Sequence, residues 1–286
     1  MSFTVHTSPL ISAEELRAAI GHVRVVDCSH DLGKPELGRE QFGQGRIPGA
    51  VHAHLDADLS GPMTGKNGRH PLPDAQVFAQ WLGKQGIGPH DMVVAYDRSG
   101  GMYAARLWWL LVWIGHTRVQ VLDGGWQAWL AAGGASATAT TWHDKIDYGH
   151  VTPHAGMIVD ADYIAANITN QHDLVVDARG AERYRGDVEP MDPRAGHIPG
   201  AVNRPFPLNL GADGRFKAPE QLAEDWKPFI ESGKPLIAQC GSGVTAAHNL
   251  LALVIAGQPL SRLYPGSWSE WCSDASRPIA TGSEPG

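Results

Sequence analysis

Gly196-His197-Ile198-Pro199-Gly200-Ala201-Val202 in the second half of the chain answers Gly45-Arg46-Ile47-Pro48-Gly49-Ala50-Val51 in the first. Each box is preceded by the same short apolar run ending on a carboxylate, Val25-Val26-Asp27 and Val175-Val176-Asp177. Downstream, Met92-Val93-Val94-Ala95-Tyr96-Asp97 matches Leu236-Ile237-Ala238-Gln239-Cys240, and each run enters a Gly/Ser loop and then an apolar stretch. Each half closes on glycine and two tryptophans, Gly125-Trp126 with Trp129 and Gly266-Ser267-Trp268 with Trp271. Landmarks in one order at nearly constant offset mark a tandem duplication.

Within each copy the elements alternate. Val23 to Val26, Met92 to Ala95 and Arg118 to Leu122 read as buried parallel strands, as do Leu174 to Val176, Leu236 to Gln239 and Arg262 to Tyr264. Asp74 to Lys84 reads as a helix capped by Asp74. Tyr103 to Ile114 and Val244 to Ala256 are apolar almost all round, as helices buried against a sheet must be. The expectation is an α/β chain with a mainly parallel sheet in each copy and helices on both faces. Residues 1–137 form the first unit, 138–158 a polar linker, and 159–286 the second.

The 286 residues are 43% hydrophobic, with ten Trp, which is enough for two cores. A net charge of −7 argues against nucleic acid, which needs a basic face. Met1 to Leu10 carries no basic-then-apolar leader, and the apolar run Leu107 to Ile114 is too short for a bilayer, so no membrane is expected. Three cysteines, Cys28, Cys240 and Cys272, leave one thiol unpaired under any pairing, which suits a reducing cytoplasm.

Cys240 ends a strand and is followed by Gly241-Ser242-Gly243-Val244-Thr245 and a helix. Two glycines allow a tight turn that aims N–H groups inward, and the helix adds its positive end. A thiol held there is favoured as the thiolate, at the strand terminus where parallel sheets bind ligands. Asp97 holds the same place in the first copy and cannot be a sulfur nucleophile, so one copy is active.

These marks resemble the rhodanese family over nearly the whole chain: two tandem rhodanese-like domains, with Gly-x-Ile-Pro-Gly-Ala boxes, Asp177-Ala178-Arg179 and the terminal Gly-Trp signature. The Cys-Gly-Ser-Gly-Val-Thr loop is similar to the 3-mercaptopyruvate sulfurtransferase branch; thiosulfate-preferring members carry Arg-Lys at the positions of Gly241 and Ser242. The resemblance implies a small-molecule sulfur donor, a persulfide on Cys240, and a thiol, cyanide or thioredoxin-like acceptor. It implies that Gly241, Gly243, Val244 and Thr245 line the substrate and that Arg183 holds its carboxylate. A second arginine is sought before the Gly-His-Ile-Pro box, with Arg185 and Arg194 as candidates. Ser242 is expected to move a proton with His70 and Asp58 behind it, Asp56 being the alternative.

No cofactor is expected, and no metal: His52 and His54 could ligate, but no cysteine or carboxylate completes a ligand spacing. A cysteine phosphatase needs an arginine six residues after its nucleophile, where this chain has Ala246. Thiosulfate:cyanide transfer is the nearest alternative activity, and a non-catalytic interaction module has little reason to keep Cys240 in such a loop.

Overall fold

The computed structural model describes residues 8–139 and 141–286; the stretch Met1 to Thr7, most of the segment Met1 to Leu10 read above, lies outside them. The first half runs β1 (Leu10–Ile11), α1 (Ala13–Ala19), β2 (Arg24–Asp27), α2 (Leu37–Gln44), β3 (Val51–His52), α3 (Ala75–Lys84), β4 (Val93–Tyr96), α4 (Met102–Trp113), β5 (Val119–Leu122) and α5 (Gly125–Ala131). The second runs α6 (Ala161–Asn170), β6 (Leu174–Asp177), α7 (Ala181–Arg185), β7 (Val202–Asn203), α8 (Pro219–Ile230), β8 (Leu236–Gln239), α9 (Thr245–Ile255), β9 (Arg262–Leu263) and α10 (Ser267–Trp271).

Two parallel sheets result, ordered β1-β5-β4-β2-β3 and β7-β6-β8-β9. The duplication read from the sequence is a duplication of register. Val26 pairs with Ala95 and Val51 in the first sheet, and Val176 with Ala238 and Val202 in the second. The counterpart of β1 shrinks to one parallel bridge, Ile158 to Leu263. The short strands β1, β3 and β7 escape sequence reading because two residues show no alternation.

The central strands β4 and β8 are buried at every position, so the helices after them inherit a sheet on one side. On the other side α4 and α9 pack against each other across the two halves. That is why both are apolar all round: Trp108, Trp109 and Leu111 of α4 and Leu250, Leu251 and Ala252 of α9 are sealed in one core. The described residues from Ala132 to His154 are largely irregular, and their polar groups tie them to the first half: Ile146 N–H donates to the Gly83 carbonyl, and the His116 ring meets the Tyr148 hydroxyl at 2.8 Å. Among the described residues no helix is long and apolar enough to cross a membrane.

Candidate active site

The loop after β8 is pinned from behind by the start of α10. Trp268 and Ser269 N–H donate to the carbonyls of Cys240 and Gly241 at 3.0 and 2.9 Å, and Cys240 N–H donates to Ser267 Oγ. The closing Gly-Ser-Trp signature is therefore a clamp on the reactive loop. Gly243 sits at φ +78, and a Cβ there would lie 2.4 Å from the Pro265 carbonyl oxygen, so this position requires glycine. Gly243 N–H in turn donates to Cys240 Sγ at 3.1 Å, and the sulfur lies near the first turn of α9.

The first copy shows what such a cradle is for. There the carboxylate of Asp97 accepts from Ser99, Gly101, Tyr103 and Ala104 N–H at 2.7 to 2.9 Å. An internal anion fills the nest that the second copy offers to a thiol. Burial pushes the Asp97 carboxyl up, and the four N–H groups work against that.

Ser242 Oγ lies 2.7 Å from His70 Nδ1, and His70 Nε2 lies 3.1 Å from Asp56 Oδ1. A carboxylate can only accept, so the His70 proton sits on Nε2 and the Ser242 hydroxyl donates to Nδ1. The hydrogen-bonded chain thus runs from a first-half carboxylate to a second-half serine. Asp58, the expected third member, is not in it. Its side chain turns back to accept His54 N–H at 2.8 Å, and Asp56 takes its place.

A cavity of 160 Å³ opens over the loop, lined by Cys240, Gly241, Ser242, Val244, Thr245 and Arg183 among others. That is space for about five waters, hence for a small molecule only. Gly243 is not among the lining residues; it serves the loop through its turn and its N–H. Arg183 reaches the cavity steadied by Glu189, with Nη2 to Oε1 at 2.7 Å. Arg185 does not: it is half-buried and paired with Asp187. Two residues apart on α7 means roughly 200° around the axis, so the two arginines cannot share a face. Arg194 is also elsewhere, donating to the Asp274 and Arg277 carbonyls. A larger cleft of 560 Å³ beside the linker shares no residue with this one and lacks a cysteine.

Two arginines at the site were not anticipated. Arg69, beside His70, lines the cavity from the first half. Arg106 on α4 is fully buried and donates to the carbonyls of Gly243, Leu59 and His70 at 3.1 to 3.2 Å. Its signal was available: it is the one ionised side chain in the apolar run Tyr103 to Ile114. His30, His54 and Asp56 bring ligand atoms within 4.8 Å of one another. His54 Nδ1, however, accepts from Asp56 and Ala57 N–H, which leaves its proton on Nε2, the atom facing Glu36, so the donor set does not suit a metal.

A rhodanese-like domain profile matches residues 12–132 and again 160–274. The chain belongs to the rhodanese family. A Pseudomonas aeruginosa protein named "Probable 3-mercaptopyruvate sulfurtransferase" is 45% identical over 96% of this chain and 99% of its own length. The human 3-mercaptopyruvate sulfurtransferase is 36% identical over 91% of this chain and 89% of its own. The chicken thiosulfate sulfurtransferase is 32% identical, covering 92% of each. The solved Escherichia coli 3-mercaptopyruvate sulfurtransferase superposes with a TM-score of 0.81 at 28% identity, covering 92% of this chain and 99% of that one. This rhodanese-family chain is a sulfurtransferase.

Burial holds the His70 ring below the usual imidazole range, while the Asp56 hydrogen bond pulls the other way. The ring is therefore neutral at pH 7 and free to accept a proton. Asp56→Asn removes a group that raises His70, so the acid limb of the pH–rate profile is expected to move to lower pH. Turnover should fall about tenfold, the low end of what one acid–base partner contributes. Asp58→Asn, which can still accept the His54 N–H, should change neither. Profiles of kcat/KM against pH for the two variants decide between the carboxylates.

Proposed function

We propose that this sulfurtransferase takes sulfur from 3-mercaptopyruvate through a persulfide on Cys240, with the first copy supplying the proton relay and no nucleophile of its own. The observation that carries the reading is the Asp56–His70–Ser242 chain ending beside Cys240. Thiosulfate leaves as sulfite, which needs no carbon-bound proton. A mercaptopyruvate carbon–sulfur bond leaves an enolate, which does. The Cys240 thiolate bonds to the donor sulfur, the carbon–sulfur pair passes to the enolate, and the donor's thiol proton travels through Ser242 and His70 to the enolate carbon. Pyruvate and a Cys240 persulfide anion result.

The acceptor is then a small thiol, cyanide or a thioredoxin-like protein. All three cysteines are free, which fits a reducing, cytoplasmic setting. Thiosulfate is the second reading, favoured by the arginines around the cavity. The test measures kcat/KM for both donors on one preparation, with pyruvate release and the mass gain of one sulfur atom on the Cys240 peptide. A preference for mercaptopyruvate with stoichiometric pyruvate is expected. A preference for thiosulfate without Cys240-dependent pyruvate would overturn the donor assignment and leave the persulfide standing.

A further inference from the structure

The cleft of 560 Å³ beside the linker shares no residue with the catalytic cavity, and its lining is of one charge. Four cations, Arg39, Arg46, Lys84 and Lys145, line it and no carboxylate does, in a chain whose net charge is −7. The backbone sets two of them on one rim: Ile146 N–H donates to the Gly83 carbonyl at 2.9 Å, which lays Lys145 of the linker alongside Lys84 at the end of α3. Neither lysine has an ion pair among the described residues. Like charges held on one rim repel, and an anion beside them relieves that. Arg46 is buried and donates to the carbonyls of Phe42, Thr138 and Ala139, so among the described residues it has hydrogen bonds but no counter-charge.

The rest of the lining is partly aromatic. Phe42 carries the Arg46 guanidinium over its ring at 4.4 Å. Trp142 is 88% exposed, more than any other large apolar side chain among the described residues. Its neighbour is anchored: His143 donates Nε2–H to the Gly49 carbonyl at 3.0 Å and accepts from Arg24 Nη1 on Nδ1 at 3.2 Å. A lone exposed apolar residue is ordinary. An indole on the rim of a cleft lined by cations is different, because the pair grips a flat ring that carries a negative group.

We propose that this cleft binds a mononucleotide, the base stacked on Trp142 and the phosphate held by Lys84 and Lys145. The volume agrees: 560 Å³ falls within the roughly 300–1,000 Å³ of small-molecule sites, whereas the catalytic cavity offers 160 Å³. A nucleic-acid strand would need a basic track running on past the cleft, and the net charge of −7 argues against one. The site stands on its own lining and is independent of which sulfur donor the enzyme uses.

Titration calorimetry of the whole chain tests this with AMP, with adenosine, which lacks the phosphate, and with ribose 5-phosphate, which lacks the base. AMP is expected to bind once per chain, and each partial ligand at least about tenfold more weakly. Trp142→Ala should bring AMP down to the level of ribose 5-phosphate. Lys84→Gln combined with Lys145→Gln should bring it down to that of adenosine. All three side chains are exposed, so the variants should fold and keep sulfur transfer at the wild-type rate. Alkylation of Cys240 with iodoacetamide should leave AMP binding unchanged. The proposal is overturned if AMP fails to bind at millimolar concentration, or if the folded variants bind it as the wild type does. Ribose 5-phosphate binding as tightly as AMP also overturns it, since the cleft would then hold any anion. So does loss of AMP binding on Cys240 alkylation, which would place the nucleotide in the catalytic cavity.

Discussion

Cys240→Ser is expected to lose at least about a thousandfold in sulfur transfer from either donor, because the thiolate is the atom to which sulfur is bonded and a hydroxyl cannot replace it. The substitution is close to isosteric, so the fold should survive. Cys28→Ser and Cys272→Ser should keep most of their activity. Cys28 lies fully buried behind β2, and burial, then the charge of Asp97 and Asp27, pushes its thiol well up. Burial pushes the Cys272 thiol up to about 11, and it packs among Trp268 and Trp271. Cys240 alone lines the cavity. A limiting amount of iodoacetamide at neutral pH should therefore label Cys240 first, located by peptide mass mapping. Retained activity in Cys240→Ser, or first labelling of Cys28, would remove the persulfide mechanism altogether.

What the sequence made legible is local. A β-branched run, a cysteine, two glycines and an apolar helix lie consecutively, and their order alone sets the strand, turn and helix that build the cradle. The repeat then placed Asp97 opposite Cys240, and the four N–H groups around Asp97 give that pairing its physical meaning. What was not legible depends on how the two halves face each other. Asp56 and Asp58 lie two residues apart in a turn, and only the backbone decides that Asp58 caps His54 while Asp56 meets His70. Arg69 and Arg194 are both near informative motifs in the chain, yet only Arg69 is carried to the cavity, through contacts with residues more than a hundred positions away. No spacing rule reaches that far.

Arg106 gives the last expected result, since it joins the two halves of the site at one buried charge. No carboxylate faces it among the described residues; its partners are carbonyls of the Leu59 to Pro71 segment and of Gly243. Burial lowers this guanidinium to about 10, and its electrostatic interaction with Cys240 acts against that. A buried cation without an anion costs several kcal/mol, whereas each hydrogen bond to it returns about 1.5–3 kcal/mol. Those terms largely offset each other, so Arg106→Met, of similar length and apolar, should shift the melting temperature only modestly. Activity should respond far more. The Gly243 carbonyl loses its anchor, and Gly243 is the residue whose N–H meets Cys240 Sγ. The His70 carbonyl loses the same partner, so the nucleophile and the relay lose their common reference point. Misplacement by about 1 Å is enough for a roughly hundredfold loss of kcat/KM, and removal of the cation beside the thiolate adds to it. Iodoacetamide labelling of Cys240 at pH 7 should slow in parallel. Arg106→Lys should restore charge but not the fork that spans these carbonyls, and should recover labelling more than turnover. Loss of turnover with labelling unchanged in Arg106→Met would show that the cation positions the halves without acting on the sulfur.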